Sequence, residues 1–122
     1  MVVVRIGRTV TTTTDLGFKP AAYGYVARPS VEPVYPVVVA DVVGRGKYRL
    51  LLAGDGDGSA VFKVYVDGGG TPVDSESSDV PAIIEGVFSS GVRIVIDGSG
   101  YHSTFTYEVW TERDYVVGVS VS

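Results

Sequence analysis

Asp55, Asp57 and Ser59 alternate with glycine and end beside Ala60 in the stretch Leu50–Gly70, LLLAGDGDGSAVFKVYVDGGG. Oxygen side chains at every second position reproduce the first three ligand spacings of an EF-hand calcium loop. The rest of that loop is missing. Ala60 occupies the position that needs glycine, and Val66 the position that needs the bidentate glutamate. A looser calcium site would need a third acid, and Ser75–Asp79 is the segment that could lend one. Phosphate binding is weaker still, because neither GxGxxG nor GxxxxGK[ST] occurs. The glycines supply positive φ and the aspartates tolerate it, so the stretch reads as a hairpin turn without a ligand.

Other chemistry is sparse. His102 is the only histidine; the alternation around it places it mid-strand, facing outward beside Thr104. No GxSxG accompanies it, so a Ser–His pair has no support. Glu108 and Glu112 share strand parity, about 13 Å apart at strand rise, too far for a glycosidase pair. Between them stands Trp110, the only tryptophan, on the polar parity of its strand with His102, Thr104 and Thr106. A lone large aromatic on a polar face serves as a subunit interface, a sugar-stacking platform or a cover over a loop. The interface candidates are Trp110, Glu108, Glu112 and Tyr115. No catalytic residue, cofactor or metal ligand is expected, and the chain is not expected to be an enzyme.

These residues need strands to position them. Val, Tyr, Thr and Ile dominate, and glycine-rich breaks recur at Gly44, Gly54, Asp67, Ser89 and Asp97. Short alternating runs between regular turns predict an all-β antiparallel sandwich filling one domain, residues 1–122. Strands are expected at Val2–Thr14, Ala21–Arg28, Val34–Val43, Lys47–Ala53, Ser59–Val66, Ala82–Phe88, Val92–Ile96, Tyr101–Glu112 and Tyr115–Val121. Three prolines make Arg28–Pro36 a connection. Asp67–Pro81 reads as a long acidic loop, mobile unless a neighbouring subunit covers it. Register predicts two hairpins. One pairs Ile96 with Tyr101 and Val92 with Phe105. The other pairs Leu52 with Phe62 and closes around Gly56–Gly58, with Tyr48, Leu50 and Leu52 facing Ala60, Phe62 and Val64 inward.

Composition bounds the rest. The 122 residues suffice for a core without staples, and there is no cysteine. The net charge of −4 argues against nucleic acid as a partner. The small basic patch Arg45, Lys47 and Arg49 has only Tyr48 as its aromatic, and that ring lies on the core parity. Up to Leu50 there are seven bases (Arg5, Arg8, Lys19, Arg28, Arg45, Lys47, Arg49) against three acids (Asp15, Glu32, Asp41), and the remainder is strongly acidic. Such asymmetry suits head-to-tail packing of identical subunits. No apolar run approaches the ~18 residues of a membrane span, and the first residues lack a signal-peptide pattern. Asparagine and glutamine are absent and Met1 is the only methionine, the depletion expected of a protein from a very hot habitat.

Thr14–Ser30, TDLGFKPAAYGYVARPS, resembles a short pattern in tail-fibre and collar structural proteins of viruses. GKYRLLL (Gly46–Leu52) with FKVYVDG (Phe62–Gly68) resembles the strand pair of jelly-roll modules, including carbohydrate-binding modules. The resemblance implies a jelly-roll-like, non-catalytic structural protein located in a virion, and with the composition above the virus is expected to be one of a hyperthermophile. It would act as a capsid, decoration or attachment component, and its partners would be copies of itself or other virion proteins. The alternative it implies is a carbohydrate- or receptor-binding module that meets a surface glycan.

Overall fold

The computed structural model describes residues 17–112, and the compact unit within it is Pro20–Thr111. Eight strands follow in order: β1 (Phe18–Val26), β2 (Val37–Val43), β3 (Gly46–Leu52), β4 (Ala60–Val66), β5 (Asp74–Ser77), β6 (Ala82–Phe88), β7 (Gly91–Gly98) and β8 (Phe105–Glu112). They form two antiparallel four-stranded sheets, ordered β1-β8-β3-β6 and β2-β7-β4-β5. Every connection crosses from one sheet to the other except β4–β5. This is the double Greek-key order of a jelly roll. The strands expected at Val2–Thr14 and Tyr115–Val121 lie outside the described residues.

Period-two alternation builds the core. From the first sheet come Tyr48, Leu50, Leu52, Ile84, Phe88, Phe105 and Val109. Ala40, Ala60, Phe62, Val64, Val92, Ile94 and Ile96 meet them from the second. Each large side chain buried there contributes about 1.5–3 kcal/mol. Phe62 and Phe105 join the sheets edge to face, 4.9 Å between centroids. The Tyr48 hydroxyl crosses at the side, donating to Asp74 Oδ2 at 2.6 Å.

The faces expected of β3, β4 and β8 are those observed, but the expected hairpins are not. β3 pairs with β6 and β8, and β4 with β5 and β7. Gly54–Ser59 is therefore an arch between sheets and not a two-strand turn. β7 likewise pairs with β2 and β4, so Ile96 meets Val37 and Phe62 instead of Tyr101. Strands of an arch and of a hairpin both alternate inward, and register arithmetic cannot separate them. The expected loop Asp67–Pro81 contains β5, an acidic edge strand whose Asp74 and Glu76 align with Val64 and Phe62.

Candidate functional site

The connections β1–β2, β3–β4, β5–β6 and β7–β8 gather at one end of the sandwich, where backbone bonds tie them together: Gly56 N to Ser78 O, Asp57 N to Tyr101 O and Ala53 N to Thr104 O. The aspartates of the GDGDG stretch complete this tie. Asp55 accepts from the Thr104 amide at 2.7 Å and the Thr104 hydroxyl at 2.9 Å. The Thr104 amide chiefly holds the Asp55 carboxyl below the usual range. Asp57 accepts from the Tyr101 amide at 2.9 Å and faces Arg28 at 3.6 Å. The Arg28 guanidinium lies 4.9 Å from the Tyr101 ring centroid. Glu32 accepts from the Gly100 amide, and the Tyr35 hydroxyl donates to the Gly100 carbonyl. The oxygens that sequence spacing offered to a cation are engaged in clamping residues 99–104. No group of three or more metal-ligating side chains occurs among the described residues.

His102 corrects its expectation. It precedes β8 and is buried, edge-on to Phe62 and Phe105. Nδ1 lies 2.8 Å from the Ser103 carbonyl oxygen, which can only accept, so that nitrogen carries the proton. The expected outward position assumed that β8 begins at Tyr101, whereas the Asp55 and Asp57 clamps hold 101–104 as a loop and turn the imidazole into the core. Beneath the arch, the Ser78 and Ser103 hydroxyls are buried without a hydrogen-bond partner.

The solvent face of the β1-β8-β3-β6 sheet is organised differently. Register lines up its outward residues in three cross-strand rows. Val87, Lys47 and Trp110 form one, Glu85, Arg49 and Glu108 the next, and Ile83, Leu51 and Thr106 the third. Arg49 meets Glu85 at 3.4 Å, and Lys47 Nζ stands 5.1 Å from the centroid of the Trp110 ring. Ile83 and Val87 are 64% and 76% exposed. At the far edge, β1 reverses the ordinary pattern. Its small residues Ala22 and Gly24 point inward, and Tyr23 and Tyr25 stand exposed. The reason is Tyr107, whose ring lies against Gly24 and leaves a Cβ there only about 3.0 Å of clearance.

The expected interface residues Trp110 and Glu108 are on this face, half-exposed, and Glu112 is exposed at the end of β8. Tyr115 lies outside the described residues. Sequence reasoning passed over Tyr23, Tyr25, Ile83 and Val87, and read Arg49 only as part of a small basic patch. A usable signal existed in β6, AIIEGVF, which is apolar on both parities. Comparison with family models, with curated proteins and with solved structures finds no match for this chain.

Proposed function

We propose that this chain is a non-catalytic building block of a larger assembly, a virion component of a virus of a hyperthermophile, and that it associates with copies of itself through the outer face of the β1-β8-β3-β6 sheet. The observation that carries this reading is the set Tyr23, Tyr25, Leu51, Ile83 and Val87, exposed on one sheet face around a charged row while Tyr48, Leu50, Leu52, Ile84, Phe88, Phe105 and Val109 of that sheet fill the core. Aromatics, aliphatics and an arginine on one face are the composition of interface centres. The Glu85–Arg49–Glu108 row supplies both charges, so a second copy can meet it with opposite charges in register. The hot source rests on the missing asparagine, glutamine and cysteine, and the virion on the resemblance of Thr14–Ser30 and the Gly46–Gly68 strands.

Native mass and sedimentation test the reading. The wild type is multimeric at micromolar concentration. Trp110→Ala, or Ile83→Lys with Val87→Lys, shifts it toward monomer while the fold is retained, with a loss of about 2 kcal/mol or more if Trp110 is a hot spot. A wild type that remains monomeric at high concentration refutes the reading. One observation favours a second function, a carbohydrate- or receptor-binding module. Tyr23 and Tyr25 offer two exposed rings on the same side of an edge strand, one strand from Trp110, a platform on which sugar rings stack. A monomer whose tryptophan fluorescence saturates with an oligosaccharide would support that function instead.

A further inference from the structure

A groove of about 550 Å³ opens at the end of the sandwich away from the Asp55 and Asp57 clamps. One outward row of the β2-β7-β4-β5 sheet, Asp41–Arg93–Tyr65, forms its wall. Gly69 and Gly70 form its rim, and the end of β2 brings Val43, 87% exposed. Among the described residues Arg93 makes no ion pair within 4.0 Å. One carboxylate ties two of the groove's lining segments together. Asp67 accepts from the Ser89 amide at 2.8 Å, the Ser90 amide at 2.6 Å and the Gly91 amide at 3.3 Å. Its own amide donates back to the Gly91 carbonyl.

At the other end of β2 stands a knob of matching character. Val31, Glu32, Pro33 and Val34 form the crest of the β1–β2 connection, with Val34 90% exposed and Val31 nearly as open. Three prolines stiffen this connection, and it is pinned where Glu32 and Tyr35 both bond Gly100. One oxygen of Glu32 accepts from the Gly100 amide, and the carboxylate remains exposed. The seven residues of β2 separate knob from groove by roughly 23 Å at strand rise.

We propose that the knob of one copy seats in the groove of the next, a head-to-tail contact that pairs Glu32 with Arg93 and packs Val31 and Val34 against Val43 and Tyr65. The proposal rests on the assembly reading and adds to it a second, heterologous contact. The charge match lies in one pair, Glu32 with Arg93. The knob end carries Glu32, Asp55, Asp57 and Asp79 against Arg28, whereas the charged residues of the groove lining are Arg93 and Asp41. Asp41 lies on the strand beyond Arg93 from Tyr65, so Glu32 enters over the Tyr65 and Gly70 side. Both surfaces are tied before they meet, which limits the ordering entropy lost on contact. The groove alone is smaller than a stable interface needs, so the contact works together with the sheet face. Because knob and groove lie at opposite ends of one strand, the operation generates a ring if it closes and a filament if it does not.

Charge reversal with mixing tests this in the full chain. Glu32→Arg and Arg93→Glu each weaken self-association by about tenfold or more in sedimentation equilibrium, the scale of a close interfacial charge pair. An equimolar mixture of the two variants restores the assembly, because each knob then finds an opposite groove. The doubly reversed chain assembles alone. Gly70→Trp blocks the groove without altering a charge, since a side chain at Gly70 meets open space, and it reduces assembly as the single reversals do. It also replaces Glu32→Arg should loss of the Gly100 bond unfold the knob. If reversal and blocking leave the mass unchanged while Ile83→Lys with Val87→Lys abolishes it, the sheet-face contact stands and the knob-in-groove contact is overturned. Variants that dissociate singly but are not restored by mixing also overturn it.

Discussion

Gly86→Ala is the substitution whose cost can be worked most directly from the structure. Gly86 lies opposite Tyr48 in the β3–β6 ladder. A Cβ there would fall against the Tyr48 hydroxyl, 2.6 Å from Cζ and 2.8 Å from Cε1, closer than real Cβ atoms come. Tyr48 cannot yield without loss, because its hydroxyl is bonded to Asp74 across the sheets. Burial, followed by that bond to a carboxylate, pushes the hydroxyl far above the ordinary tyrosine range, so it remains a donor at all working pH values. Losing a hydrogen bond to a charged group costs about 1.5–3 kcal/mol, and overpacking a core position about 1–3 kcal/mol. Gly86→Ala should therefore cost about 2.5–6 kcal/mol. Guanidinium unfolding at 25 °C reads this directly. The double-mutant cycle with Tyr48→Phe isolates its cause. Phenylalanine removes the hydroxyl clash and the bond together, so Gly86→Ala should cost at least ~1 kcal/mol less in that background. A cost below about 1 kcal/mol, or strict additivity with Tyr48→Phe, would show that the ring is not pinned.

Acid should loosen both ends of the sandwich. Backbone amides depress the folded carboxyls, that of Thr104 chiefly for Asp55 and that of Ser90 chiefly for Asp67. A depressed folded pKa gives stability that is present above the unfolded value near 4 and lost as pH falls through the folded value. The denaturant midpoint should therefore fall as pH drops below about 4, and less so in Asp67→Asn; an identical fall in that variant would count against the clamp. Ser103→Ala should be neutral or stabilising, because it removes a buried hydroxyl with no partner, and a loss above about 1 kcal/mol would mean that the hydroxyl is satisfied in solution. Calorimetry should give a Tm above about 90 °C, the hyperstable range, and melting near 60 °C would remove the hot-habitat inference.

Inward and outward faces were legible in the sequence because they depend only on neighbours two residues apart. Tyr48, Leu50 and Leu52 point inward whether β3 turns back on β4 or arches over to the other sheet. Pairing partners depend on distant strands, and nothing local to Gly54–Ser59 distinguishes the two outcomes. The aspartates there looked like ligands or turn formers because their real partners, the Thr104 and Tyr101 amides, are more than forty residues away. His102 was misplaced for the same reason, since the clamps that end β8 at Phe105 come from another loop. β5 escaped notice because DSES has almost no strand propensity. Its place is set by tertiary pairing with β4. On the outer face, Trp110 was found by its incompatibility with a polar strand, whereas Tyr23 and Tyr25 were hidden. Nothing in the local pattern shows that Tyr107 fills the space beneath β1.

The crossing connections also govern the order of events during synthesis. Among the described strands, β4 and β5 form the only sheet pair adjacent in sequence, so almost no part of either sheet can be completed from neighbouring residues alone. Closing long loops precedes the contacts that repay them, which places such a chain among the slow folders, on the order of milliseconds to seconds. β1 waits longest. It lies beside β8, and nearly eighty residues separate Val26 from Phe105. On a ribosome adding roughly 5–20 residues per second, β1 would spend several seconds without its neighbour. Through that interval the side of β1 that β8 later covers is unpaired, and a chaperone or a neighbouring nascent chain could engage Tyr23 and Tyr25 before β8 emerges.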